Sequence, residues 1–231
     1  MIMTKKTWKW SVGTVLALFS VGAIANVQYK FYADGVTEDF SQQGTALFSF
    51  SNDGSALSIT LTDTVQPTAA VLSSITGLQF SLSSSPTAIS LTSVSTTSVV
   101  DCSNTSSPCP PGAGSSPYGW GTVATGSDVA LGAGFDGSSF SYQPYGIVNA
   151  SYLSPGGPGG LGDPAVNPLL VGPVTFTFAL SGLAYAPQVN SVVFEFGDPT
   201  PLRAVPEPQS LLLLALGLIA AGWVTRRRSQ A

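Results

Sequence analysis

The chain has 231 residues, enough for one domain with terminal extensions at about 150 residues per domain, and 9% of them are charged against about 25% in an average soluble protein. It contains no His and two Cys, which excludes Ser-His-Asp triads, Cys-His pairs, His-ligated zinc, all-Cys metal sites and iron–sulfur clusters. Eight basic residues against twelve acidic ones also exclude a grip on nucleic acid, which needs several phosphate contacts.

At the N-terminus, Lys5, Lys6 and Lys9 precede an apolar stretch from Val12 to Val21. Ala23 and Ala25 then occupy the two small-residue positions that a signal peptidase reads. Residues 1–25 are expected to be a signal peptide, handled by Sec export and cut after Ala25. The apolar run, about ten residues, is too short to cross a hydrocarbon core of about 30 Å as a helix.

Residues 26–203 form the expected exported domain, long enough for a single core. This segment keeps only Lys30 and Arg203 among the basic residues and eleven acidic ones, a net charge of −9. Its polar surface must therefore come from Ser, Thr, Gly, Asn and Gln, and its charge opposes binding to DNA or anionic lipid. The hydrophobic period is two. Ala46, Phe48 and Phe50 share one face, as do Leu57, Ile59 and Leu61, and Asn52-Asp53-Gly54 between them reads as a hairpin turn. Further strands are expected at Val27–Ala33, Leu78–Leu82, Ala88–Val94, Ser139–Tyr145, Val174–Leu180 and Val192–Phe196. A helical turn or short helix is expected within 68–76. Residues 101–138 and 153–173 are rich in Gly, Pro and Ser and read as long surface loops. The expected fold is all-β: an antiparallel β-sandwich, jelly-roll or immunoglobulin-like, with long loops.

Chemistry along this segment is sparse. Cys102 and Cys109, in a Ser/Asn/Pro loop, are expected to form a disulfide in an oxidising compartment. Trp120 and Tyr118, beside Tyr142, Tyr145 and Tyr152, are the candidate sugar-stacking rings. The alternative for these rings is to cap the ends of the sandwich. Asp34, Glu38 and Asp39 cluster near the mature N-terminus, and Glu38 and Glu195 are the only two Glu of the segment. A glycosidase needs two carboxylates about 5–10 Å apart, and nothing in the sequence brings this pair together. Neither Asn52-Asp53-Gly54 nor Asp34–Asp39 has EF-hand spacing. No metal, cofactor or catalytic residue is expected.

At the C-terminus, Val205-Pro206-Glu207-Pro208 is followed by an apolar run from Leu211 to Val224 and then by Arg226, Arg227 and Arg228. The run reads as a membrane helix at about 210–225, shorter than the usual span of about 17–25 residues. Local bilayer thinning and snorkelling arginines accommodate it. The arginines stay cytoplasmic, so the domain lies outside the inner membrane. Prolines before the run keep the chain extended, the form in which a protease grips a backbone.

This order of Pro-Glu-Pro, short apolar helix and arginine cluster resembles the PEP-CTERM sorting signal of Gram-negative bacteria. Pro206, Glu207 and Pro208 match its motif, and Arg226, Arg227 and Arg228 its basic end. Gly44, Ala46, Phe48 and Leu57, Ile59, Thr60, Leu61, Thr62 also resemble early strands of exported proteins with that tail, and Val192–Gly197 their last strand. The resemblance implies that exosortase removes the tail after export, leaving an end near Pro208 without Leu211–Ala231, and that the domain reaches the cell surface or an extracellular matrix. It further implies exopolysaccharide or biofilm as the setting. The expected function is a non-enzymatic surface protein. The alternatives are a carbohydrate-binding module and a carboxylate-dependent glycan hydrolase.

Overall fold

The computed structural model describes residues 27–36, 41–65, 74–103, 109, 111–133, 144–149, 167–197 and 201–206. The expected signal-peptide sites Ala23 and Ala25, the membrane helix and Arg226–Arg228 lie outside the described residues.

Alternating sequence becomes alternating burial. β1 (Val27–Val36), β2 (Ser41–Phe50) and β3 (Ala56–Asp63) form an antiparallel meander. Ala46, Phe48 and Phe50 of β2 and Leu57, Ile59 and Leu61 of β3 are buried on one face. The Ser and Thr between them turn outward, where Thr60 Oγ1 lies 2.9 Å from Thr175 Oγ1. The expected hairpin closes through Gly54, whose φ of 70° is a conformation that favours glycine. Asp53 beside it accepts hydrogen bonds from Ser51 Oγ, Ser55 N and Ser55 Oγ at 2.6, 3.0 and 2.8 Å.

Next come β4 (Ile75–Leu82), β5 (Ala88–Ser95), β6 (Ser98–Val100), β7 (Trp120–Thr125) and β8 (Asp128–Ala133). They are followed by β9 (Ile147–Val148), β10 (Leu169–Val171), β11 (Val174–Ser181), β12 (Val189–Phe196), β13 (Leu202–Arg203) and β14 (Val205–Pro206). One sheet runs β14-β1-β2-β3-β11-β5. The other runs β13-β12-β4-β9-β10-β6, with the β7–β8 hairpin attached to β4 through β8. The all-β expectation holds, with no helix among the described residues.

Four details correct the sequence reading. β9 and β10 are parallel, so the second sheet is mixed rather than purely antiparallel. Ile75 and Thr76 open β4 instead of ending a helix, and the rest of the expected helix, up to 73, lies outside the described residues. The expected loops contain β7 and β8 at 120–133 and β10 at 169–171. Residues 144–145 form a turn where a strand was expected, and 139–143 lie outside the described residues.

The two sheets pack face to face as a β-sandwich. Phe48 of the first meets Phe80 of the second at 5.1 Å between ring centres, edge to face. Trp120 of the second meets Phe176 of the first at 4.6 Å. Burying a Phe or Leu stabilises by about 1.5–3 kcal/mol, so this apolar interior is the main source of stability in a chain with only 9% charged residues. Three register shifts interrupt the ladders, and a Thr hydroxyl serves two of them. Thr92 Oγ1 donates to Thr177 O at 2.9 Å and Thr76 Oγ1 to Glu195 O at 3.3 Å, so each extra residue satisfies a carbonyl on the facing strand.

Candidate functional site

The chain end leaves the second sheet and joins the first within Leu202–Pro206. Leu202 and Arg203 pair with Phe194 and Val193 of β12. Ala204 N donates to Val192 O at 2.9 Å. Val205 and Pro206 then pair with Tyr32 and Phe31 of β1. Pro206 has no N–H to give a ladder, which suits the outer strand it occupies. Leu202 rests on Gly35 of β1, where a Cβ would lie 2.5 Å from Leu202 Cδ1. Glycine is what lets the clasp close. Strand pairing thus runs past the expected domain boundary at 203/204 and includes the first two residues of the sorting motif. Glu207 and Pro208 lie outside the described residues.

Cys102 and Cys109 form the expected disulfide. Both sulfurs belong to a second buried cluster with Val65, Val100, Val148, Leu169 and Val171, and Cys102 N donates to Asn167 Oδ1 at 2.8 Å. The bridge joins two positions seven residues apart in sequence, shortly after β6.

The structure buries Trp120 and half-buries Tyr118, the two sugar-stacking candidates. Trp120 is 3% exposed, with its ring against Phe176 and its indole N–H donated to Tyr145 O at 3.0 Å. A ring held in this way has no face for a sugar. Tyr118 is half-buried, its ring 5.9 Å from that of Tyr145, and the backbone of Gly114 lies against both rings. Tyr118 and Tyr145 both have positive φ, 54° and 67°, a strain of about 1–3 kcal/mol each that surrounding packing must over-determine. Tyr145 Oη helps by donating to Ala113 O at 3.2 Å. Both tyrosine rings are partly buried and packed against the main apolar core.

The carboxylates divide by environment. Asp34 is exposed and accepts from Gln43 Nε2 at 2.9 Å. The hydrogen bonds from Ser51 and Ser55 pull the exposed Asp53 carboxyl down to about 2. Asp63 is 4% exposed, and burial pushes its carboxyl up to about 8, although Val65 N donates to it at 2.9 Å. Burial also raises Glu195, which accepts from Gln79 Nε2 at 2.8 Å. Glu38 and Asp39 lie outside the described residues. Among the described residues no group of three or more His, Cys, Asp or Glu could hold a metal ion. The sequence reading missed Asp63, though it continues the inward parity of Leu57, Ile59 and Leu61.

The outer face of the second sheet carries a shallow depression of about 270 Å³. Gln79, Asp128 and Ser191 line it beside Val123, Ala130 and Val193. The strand register puts Val193, Gln79, Ala130 and Val123 in one row across β12, β4, β8 and β7. Its polar groups are amide, hydroxyl and carboxylate.

No curated protein and no solved structure matches the chain. Residues 204–228 match one family, the PEP-CTERM protein-sorting motif. The match begins at Ala204, the residue at which the chain crosses between the sheets, and ends at Arg228. The chain therefore carries a PEP-CTERM protein-sorting motif at residues 204–228, and that motif starts inside the clasp.

Proposed function

We propose that this protein is exported across the inner membrane, held there briefly by its tail, and processed by exosortase. Its β-sandwich is then delivered to the cell surface or extracellular matrix. The sorting motif at residues 204–228 is the observation that carries the reading. The signal peptide and the membrane helix complete the route. In this proposal the domain is a non-catalytic component of an exopolysaccharide matrix. Support comes from a chain without His and from an outer surface of paired hydroxyls such as Ser81 Oγ and Ser191 Oγ, 2.7 Å apart. Fractionating host cells tests it. The wild-type domain is expected in the surface or extracellular fraction. A variant with Pro206, Glu207 and Pro208 all changed to Ala is expected to stay in the inner membrane. Equal distribution of the two removes the motif from the route.

The depression on the second sheet favours one further reading, carbohydrate binding. Neutral sugars present hydroxyls to groups such as Gln79 and Asp128 and apolar C–H faces to side chains such as Val123 and Val193. Calorimetric titration with the host's exopolysaccharide is expected to show saturable binding that weakens in Gln79→Ala and Asp128→Ala. Unchanged binding in both variants excludes this face.

A further inference from the structure

We propose that the mature domain keeps the clasp Leu202–Pro206, so that the bond broken in processing lies on the C-terminal side of Pro206. The inference rests on the tail being a processing signal and adds the place of the cut. A protease holds its substrate as extended backbone with unpaired N–H and C=O groups. Between Leu202 and Pro206 the backbone is already committed: β13 to β12, Ala204 to Val192 and β14 to β1. Cutting any bond in this stretch first requires lifting β13 or β14 and moving Leu202 off Gly35.

The product of such a cut is also unfavourable. Without β14 the Phe31–Tyr32 stretch of β1 becomes an open strand edge, a template for pairing with other chains. A cut beyond Pro206 leaves that edge covered and the clasp closed. In that step one peptide C–N bond breaks and one water is consumed. The water oxygen joins the carbonyl carbon on the domain side as a new carboxylate. The released tail then begins with an ammonium group.

Arg203–Ala204 is the only tryptic bond between Lys30 and Arg226, so trypsin reports on the clasp without the host enzyme. In the full chain in detergent micelles this bond is expected to be cut at least about tenfold more slowly than in a synthetic peptide of residues 198–208, since cleavage tracks the open population. Leu202→Ala, which removes the packing on Gly35, and Gly35→Val, which displaces Leu202, are each expected to accelerate it. Equal rates in chain and peptide overturn the clasp.

The mature protein from its host gives the second arm, by mass spectrometry of its C-terminal residue. A terminus at Pro206 or later supports the proposal, and one at Val205 or earlier overturns it while leaving the sorting route intact. A fully retained tail overturns the place of the cut together with the processing reading, and the trypsin arm then still decides whether the clasp is closed.

Discussion

Burial holds the Asp63 carboxyl at about 8 against 3.8 for an ordinary Asp, so between those values the folded chain keeps a proton that the unfolded chain releases. Unfolding then releases that proton, and rising pH favours it. This contribution to stability is fully present below pH 3.8 and is lost as pH rises through about 8. Glu195, also raised by burial, acts in the same direction. Asp53 acts oppositely, losing its contribution as pH falls from 3.8 through about 2. Thermal melts are expected to show a midpoint that declines from pH 4 to pH 8, and Asp63→Asn is expected to flatten the decline. A variant with the wild-type slope would place the titration elsewhere. Trp120 acts at the same scale through packing. Trp120→Ala is expected to cost about 3–5 kcal/mol in urea unfolding, as for other buried aromatics cut to Ala. A loss below about 1 kcal/mol would contradict its place against Phe176.

Elements are stabilised here by turns and staples as much as by propensity. At the β2–β3 turn, a Cβ on Gly54 would lie 2.6 Å from Tyr185 O, and φ there is 70°. Gly54→Val is expected to destabilise by about 1–3 kcal/mol, read as a lower urea midpoint with unchanged slope. The Cys102–Cys109 bridge closes a loop of eight residues. Its loss in Cys102→Ser/Cys109→Ser is expected to cost about 2.5 kcal/mol by loop entropy. The meander was legible because Phe and Leu alternate with Ser and Thr over whole strands. β7 and β8 were not. Gly121, Gly126 and Gly132 give that hairpin a loop-like composition, and its apolar members Val129 and Leu131 form too short a pattern to oppose that reading. The same composition made Trp120 look like a loop residue, when cross-sheet packing against Phe176 had already taken its ring. The clasp was invisible for another reason. Val205 and Pro206 belong by motif to the tail and by strand pairing to the domain, and no local pattern records a partner so distant in the chain as Phe31–Tyr32.

At the scale of the whole molecule, the exported segment combines a net charge of −9 with a Phe-rich interior and a hydroxyl-rich exterior. Such a surface stays soluble near polyanions without being held to them by charge, which suits a matrix component. The fold also sets the geometry of delivery. Because the last strand, β14, pairs with β1, the sandwich runs directly into the sorting motif. The account's central claim is that the tail is a removable address. The most direct test is mass spectrometry of the C-terminal peptide of the protein recovered from its native host, in inner-membrane and extracellular fractions. The account predicts extracellular protein that lacks Leu211–Ala231. Protein found only in the inner membrane, with Arg226, Arg227 and Arg228 still attached, would contradict it.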